Sequence, residues 1–518
     1  MLTIDFFGQA CTALRCHKTG IEIVSDPWFS GPAHLNSWHA FPEWTAEEVE
    51  RIRKRIDSAT HIYLSHDHAD HFDPQFLRTL SHKTILVGDF QNERFRKELR
   101  NLSQIHEIKY LRHGEIIQLG DSVSAQLFMQ QPAFHTDSIL LVQTEDGCIL
   151  NANDCGLNTA ALRRIARKHQ VTVFLFTLNY MANGYPISYL FSGDPNFGSK
   201  MQAVRDQTLD IFRLAMQNLN PALSVAFAGP VTYGDSINNH LNQHTEACNW
   251  SAMVGELQSE GPVIWPAPFS SIECNNGALT RSMILDWEQF RARPHIYSKP
   301  LAGVNPSQEQ ILQAAERFVD RLSGVLHKTG QRVDIPLVLS GVASLDQIES
   351  NSPDWSLEID FDRRRVCFMD KYPLSPPYLQ ILAPTQILHG FLTLQSNVDD
   401  ILLSARARFR RDPDTFNPVL HDLLRYGGDE LSAQALINWS MRLPKCGESI
   451  IVDVDGEPRR IPKFCPHEGE SLESVQAMNS HLVCPRHRWK FDLNTGQCVV
   501  GDNTVNLYTL VEGKALAE

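Results

Sequence analysis

Two short motifs near the end of the sequence constrain this chain more than any other feature. They are Cys465-Pro466-His467 and Cys484-Pro485-Arg486-His487, separated by sixteen residues. Each supplies one thiol and one imidazole. A fold that uses all four side chains together must therefore bring two tight, proline-stiffened loops tip to tip.

The pairing points to a cofactor. Structural zinc sites built from two cysteines and two histidines usually take like ligands from each half. One of each per loop suits instead a [2Fe–2S] cluster with two thiolates on one iron and two imidazoles on the other, the Rieske type. The expected cluster ligands are Cys465, His467, Cys484 and His487. The run Trp489-Lys490-Phe491-Asp492-Leu493-Asn494-Thr495-Gly496 reads as the strand and turn that follow the second loop of a Rieske domain. Such a centre moves one electron at a time, so redox chemistry is expected.

The rest of the chain is too long for one core, and 518 residues suggest roughly three domains. A net charge of −13 argues against a nucleic-acid binder. No apolar run approaches the ~18 residues of a membrane span. Met1 to Asp5 carries neither a basic nor an apolar leader segment, and the eleven cysteines show no disulfide spacing. A reduced, cytoplasmic location is expected. Up to about residue 275, short apolar runs such as His61-Ile62-Tyr63-Leu64 and Val171 to Phe176 alternate with helical stretches such as Asn158 to His169. That pattern predicts a layered α/β core. Ser307 to Gln310 reads as a capping box opening an amphipathic helix that stops near Gly330. Gly427-Gly428 reads as a linker. The expected domains are 1–275, a middle segment 276–430 that completes the first, and an all-β cluster domain 431–518.

A second constellation follows one of the predicted strands. His66-Asp67-His68-Ala69-Asp70-His71 comes directly after Ile62-Tyr63-Leu64-Ser65. Two histidines two apart on a strand-end loop can face one metal, and Asp70-His71 can turn toward a second. This H-x-H-x-D-H signature is that of metallo-β-lactamase-fold proteins, which implies an αββα sandwich. His135 suits a third ligand for the first metal, and Asp154 suits a bridging carboxylate. Asp26 suits a carboxylate orienting a histidine. The last ligand is expected among His240, His244 and Asp235, with His240 favoured. Asp70 and Asp154 are the expected catalytic carboxylates. Oxygen and imidazole donors suit zinc, iron or manganese alike. The neighbouring one-electron cluster favours iron, because zinc cannot accept an electron.

With both constellations in place, the chain resembles the cytidine-monophosphate-N-acetylneuraminic acid hydroxylase family. The resemblance rests on Asp26-Pro27-Trp28 with Gly31-Pro32-Ala33, on Ile62 through His71, and on Ile149-Leu150-Asn151 with Asp154-Cys155. It extends to Gly184 with Pro186, to Phe227-Ala228-Gly229, and to Arg408, Arg411, Asp412, Pro413 and Asp414. There are departures. The Rieske motif follows the H-x-H-x-D-H site here and precedes it in animal members, and a family histidine would fall nearer Asp235 than His240. β-Hydroxylases with a carboxylate-bridged di-iron centre in the same fold imply that such a site can activate oxygen.

The resemblance implies a Rieske-coupled, iron-dependent monooxygenase acting on a polar substrate such as a nucleotide sugar or amino compound. His66, His68 and His135 would hold one iron, Asp70, His71 and His240 the other. Implied partners are O2, a small-molecule substrate and an electron donor (a ferredoxin, a reductase or a cytochrome b5-like protein). A homo-oligomer is also expected. Arg408, Arg411 and Tyr185 are the expected substrate contacts, with Trp28 beside them. Arg363-Arg364-Arg365, Arg406 and Arg410 are further candidates for binding an anion, since guanidinium pairs bidentately with phosphate and carboxylate. The alternative is a dinuclear-metal hydrolase of phosphodiesterase or lactonase type with a redox-sensing cluster domain. A third reading is an electron carrier.

Overall fold

The structure is a computed structural model. It describes residues 1–130, 136–157, 159–182, 184–191, 193–245, 247–285, 287, 290, 305–370, 374–414, 416–440, 448–454, 456–466, 470–473, 475–484, 489–500 and 505–510. They fall into two compact units, one of residues 1–181 with 205–298 and one of residues 182–204 with 299–518. Among the described residues, no helix is long and apolar enough to cross a membrane.

The first unit holds two large mixed sheets. One has eight strands in the order Ala278–Met283, Ser271–Asn275, Leu2–Gly8, Cys11–Cys16, Glu22–Ser25, His61–Leu64, Thr84–Gly88, Glu107–Leu111. The other has seven, in the order Val263–Ile264, Leu223–Phe227, Val173–Thr177, Cys148–Asn151, Asp137–Thr144, Val123–Gln130, Ile116–Gly120. Each sheet is antiparallel on one side and parallel on the other. One buried core joins Ile4, Ile23, Ile62 and Leu86 of the first sheet to Leu127, Leu140, Ile149 and Val225 of the second. The sheets therefore pack face to face.

Helices cover the outer faces, because parallel neighbours need a crossover. Ala46–Ile56 starts at a Thr45/Glu48 capping box and buries Ile52 and Ile56. Phe212, on the helix Phe197–Leu219, packs on Phe174 and Phe176 of the second sheet. The result is the expected αββα sandwich of the metallo-β-lactamase fold. Its parallel strands end on one rim. The strands Glu22–Ser25, His61–Leu64 and Cys148–Asn151 run directly into Asp26, His66 and Asp154 there.

In the second unit, a five-stranded sheet runs in the order Arg365–Phe368, Trp355–Asp360, Leu337–Val342, Tyr378–Pro384, Arg408–Asp412. The helix Gln308–Thr329 opens with the expected Ser307/Gln310 box and ends at Gly330, which takes the left-handed cap (φ 69°). Leu357 and Ile359 are buried and alternate with half-exposed acidic residues. The expectation of a linker at Gly427-Gly428 is corrected. These glycines join the helix Pro418–Tyr426 to the helix Glu430–Ser440, and both helices pack on Gln308–Thr329. A Cβ on Gly427 would lie 2.5 Å from the Leu423 carbonyl oxygen of its own helix and 3.2 Å from the Leu322 side chain of Gln308–Thr329, so a tight helix end packed on its neighbour rather than freedom explains that glycine.

The C-terminal part is all-β. It comprises the hairpin Ser449–Val454/Glu457–Pro462 and a three-stranded sheet of His481–Val483, Lys490–Asp492 and Cys498–Val500. Their shared core contains Ile461, Cys465, Leu472, Leu482, Cys484, Phe491 and Leu507.

Candidate metal centre

The rim of the first unit is built from the backbone outward. Asp26 lies just past the strand Glu22–Ser25, beside the parallel strand His61–Leu64, and its amide donates to the Tyr63 carbonyl (3.0 Å). Its carboxylate is fully buried. It accepts from the Ser65 amide (2.8 Å), the Ser65 hydroxyl (2.7 Å) and the Asn153 side-chain amide.

That carboxylate sets the tautomers of two imidazoles. The single Ser65 proton goes to Asp26, so Ser65 Oγ accepts from His66 Nδ1, 2.8 Å away. His71 Nδ1 likewise donates to Asp26 Oδ2 at 3.1 Å. Nε2 is then the atom that each ring turns to the interior. A second partner that fixes a histidine's tautomer and direction is the usual support of a metal ligand.

Two groups of donors converge. His66 Nε2 lies 2.9 Å from His68 Nδ1 and 3.8 Å from Asp154 Oδ1, and one donor atom from each of the three residues fits within 4.8 Å of the others. Donors about 2.1 Å from a shared cation sit about 3.4 Å apart in tetrahedral geometry, so these residues fit a metal. His71 Nε2 is buried, 3.3 Å from both Asp70 Oδ2 and Asp154 Oδ2, and in hydrogen-bond geometry with neither. A buried imidazole nitrogen facing two carboxylates calls for positive charge between them, a proton on Nε2 or a metal ion in its place. Asp154 thus faces the first group with one oxygen and the second with the other, as a bridging carboxylate would.

The electrostatics agree. Burial pushes the His66 and His68 pKa values down, which favours neutral, ligating imidazoles. Burial would also lower His71, but the Asp154 and Asp70 charges outweigh it and hold His71 well above its ordinary value. Burial raises the Asp154 and Asp70 carboxyls. The His71 charge, with help from His66 for Asp154 and from His34 for Asp70, overrides that and holds both below the usual range.

Asp67 turns outward to the Asn92 side chain (2.5 Å). His135 lies outside the described residues. His240 is half-buried in the first turn of the helix Asn239–Thr245, which packs on the strand Val231–Tyr233. His244 Nδ1 lies 3.2 Å from the Tyr180 hydroxyl, and Asp235 is buried at the start of a short 3-10 turn. Four side chains around the centre were not singled out from the sequence: Gln9, His34, Ser65 and Asn153. Ser65 and Asn153 adjoin expected ligands and could have been suspected on that ground. Gln9 and His34 carry no spacing signal.

The cluster motif is described in part. Cys465 and Cys484 are fully buried. Cys465 N donates to the Glu470 carbonyl (2.7 Å) and Cys484 N to the Trp489 carbonyl (2.8 Å), so each cysteine is tied to a residue that follows its motif. His467 and His487 lie outside the described residues. The strand Lys490–Asp492 and a turn closed by Gly496 N on the Asp492 carbonyl (2.7 Å) follow, as expected.

Among the expected substrate contacts, Arg408 is buried. Only 1% of it is exposed, and its guanidinium donates to Glu349 (2.8 Å) and to the Ala405 (3.0 Å) and Ala407 (3.2 Å) carbonyls. Its guanidinium is thus ion-paired to Glu349. Arg363, Arg364 and Arg365 are exposed at a strand turn, with Arg365 paired to Glu358. The Trp28 indole is buried and donates to the Gly31 carbonyl (2.7 Å). Arg411 sits over the Tyr185 and Tyr189 rings (5.3 and 5.1 Å) and donates to Asp414 (2.6 Å). The adjoining cavity, lined by Tyr189, Phe409, Arg411 and His421 among others, is about 20 Å³, room for about one water.

Comparison with known proteins adds to this. Residues 441–510 match the family model of the Rieske [2Fe-2S] domain, so the C-terminal part is a Rieske domain and implies that cluster. The N-terminal half is homologous to cytidine monophosphate-N-acetylneuraminic acid hydroxylases. The Danio rerio protein is 25% identical over 269 residues, 49% of this chain and 42% of that one. The Mus musculus protein is 23% identical over 286 residues, 50% and 47% of the two chains. The chain thus matches less than half the length of these curated relatives. Similar solved structures include CmlA, a diiron beta-hydroxylase from Streptomyces venezuelae (11% identity, 55% of this chain and 54% of that one, TM-score 0.35). Another is Igni18, a metallo hydrolase from Ignicoccus hospitalis (14% identity, 52% and 97%, TM-score 0.36).

Proposed function

We propose that this chain is a Rieske-coupled, iron-dependent oxygenase that hydroxylates a polar small molecule with O2 and external electrons. One observation carries the reading. The chain joins a Rieske domain to a buried histidine–carboxylate rim on which Asp154 faces two donor groups. A one-electron donor domain has an evident use beside a redox-active metal and none beside zinc.

His66 and His68 would hold the first ion and Asp70 and His71 the second, with His135 and His240 the further ligands expected from the sequence. Bound iron would supply the redox chemistry that O2 activation needs. The protein's own part is to prepare the site. Asp26 and Ser65 hold a proton on Nδ1 of His71 and His66, so Nε2 is the atom each ring offers a metal. The second proton that the Asp70 and Asp154 charges hold on His71 is the one a cation between those carboxylates would displace. Burial excludes bulk water from His66, Asp70 and His71, each at most 2% exposed. The substrate class follows the activity named for the relatives, and the Rieske domain calls for an electron donor. A nucleotide sugar with an anionic acid group is the leading class, and a ferredoxin, reductase or cytochrome b5-like protein the donor class. Arg411, stacked on Tyr185 and Tyr189, offers an aromatic-backed cation to such an anion.

Metal analysis of protein purified without oxygen tests the reading. Iron at about three to four per chain, with substrate-dependent O2 uptake under a chemical reductant, is the expected result. About two irons and two zincs per chain, with hydrolysis of a phosphodiester or lactone, would replace the oxygenase by a dinuclear hydrolase.

A further inference from the structure

Asp70 is a rim carboxylate gripped by side chains from outside its own motif. Gln9 Nε2 donates to Asp70 Oδ2 at 2.9 Å, and His34 Nε2 lies 3.0 Å from Asp70 Oδ1. All three are buried, at 8%, 2% and 2% exposure for Gln9, His34 and Asp70. His34 is itself wedged edge-on against Trp38 (4.5 Å) and His68 (5.7 Å).

The backbone supports a deliberate placement. Gln9 (φ 44°) and His34 (φ 45°) are both in the left-handed region, which residues with a Cβ rarely adopt. His34 opens a run of three such residues with Leu35 (φ 56°) and Asn36 (φ 64°). Asp26 (φ 39°) and Asn153 (φ 55°), which serve the rim from the other side, share the conformation. Strained non-glycine backbone persists where the surroundings over-determine it, and it gathers at functional sites.

We propose that Gln9 and His34 form a clamp that positions Asp70 for the second metal, and so set the occupancy of that position. With one donor on each oxygen, the carboxylate cannot rotate about its Cβ–Cγ bond. Oδ2 is held 3.3 Å from His71 Nε2, on the side where Asp154 Oδ2 also lies. Without the clamp, Asp70 is free to turn from His71, and the second ion loses one of its anionic donors. The first group, His66, His68 and Asp154, contains no Asp70 atom and keeps its geometry. The clamp deepens the dinuclear reading of the same rim, but it concerns the number of ions and not their identity.

The test is a cobalt(II) titration of the full-length chain, whose rim metals are first removed by chelation while the Rieske visible spectrum is monitored as intact. The wild-type chain is expected to take up two equivalents. His34→Phe is expected to keep the first and bind the second about 10–100-fold more weakly, the usual effect of losing an orienting partner. Gln9→Leu acts in the same direction and serves where His34→Phe fails to fold. His34→Gln, which restores an amide donor, is expected to recover most of the second affinity. The clamp is overturned if both variants bind two equivalents with wild-type affinity, if they lose both equivalents equally, or if the wild-type chain binds only one. Zinc in the native protein would end the oxygenase reading and leave this result standing. Native iron with an unperturbed second equivalent in both variants would do the reverse.

Discussion

His71 Nδ1 donates to Asp26 Oδ2 across 3.1 Å, with both residues fully buried. Asp26 follows one strand and His71 closes the loop after its parallel neighbour, so the contact ties the sheet to the metal rim. Asp26→Ala should reduce metal affinity at the rim by about 10–100-fold. It should also destabilise the first unit, because the Ser65 amide and the Asn153 side chain lose a buried acceptor, about 1–3 kcal/mol each. Metal per chain after desalting and a urea melt would check both. Full retention of metal would show that Asp26 does not orient the ligands.

Ser65→Ala offers a narrower version of the same idea. It removes the hydroxyl between Asp26 and His66 Nδ1 and leaves the backbone bonds in place. The expected outcome is weaker binding at the His66/His68/Asp154 group, by roughly 10-fold, with little change in melting temperature. Cobalt titration would resolve it, and an unchanged first equivalent would count against the tautomer assignment.

Arg408 and Arg411 should separate cleanly. Arg408→Ala strips partners from Glu349 and two carbonyls, so a loss of about 2–3 kcal/mol is expected in chemical unfolding. Its KM for an anionic substrate should stay near wild type once the folded fraction is matched. Arg411→Ala should raise that KM with a smaller effect on stability. The opposite pattern would point to Arg408 as the substrate arginine.

Cys484→Ser should abolish the Rieske absorption and electron-paramagnetic-resonance signals while the His66 rim keeps its metal. Cys484 belongs to the cluster domain, whose core is formed by its own strands and turns. Loss of rim metal in this variant would mean the two centres fold interdependently.

Gly496→Ala should weaken the same domain. Gly496 has φ 76°, and a Cβ there would lie 2.4 Å from both the Asn506 side-chain oxygen and the Tyr508 ring. Left-handed strain alone costs about 1 kcal/mol, and the overlap adds to it. Early thermal loss of the Rieske spectrum, with the rest of the chain still folded, is the expected reading. An unchanged melt would refute the steric account.

What could be read along the chain was whatever chemistry encodes at short range. Cys465, His467, Cys484 and His487 lie in two compact motifs, and His66 to His71 in one, because a metal demands several donors from one or two loops. The layered α/β class followed from the periodicity of buried strands, its αββα form from the likeness of H-x-H-x-D-H to the metallo-β-lactamase signature, and the Ser307/Gln310 cap from a local hydrogen-bond rule. Proximity across the fold was not legible. The grip of Gln9 and His34 on Asp70 spans 61 and 36 residues, and no periodicity announces it. The burial of Arg408 and its pairing with Glu349 were not legible either. Gly427-Gly428 looked like a linker until a tight helix end packed on its neighbour explained the missing Cβ. The sequence by itself determined which residues can bind a metal or a cluster, since donor chemistry belongs to the side chain. Only the tertiary structure decided which of them share one buried space and which neighbours hold them there, since that depends on where strand ends distant in sequence meet.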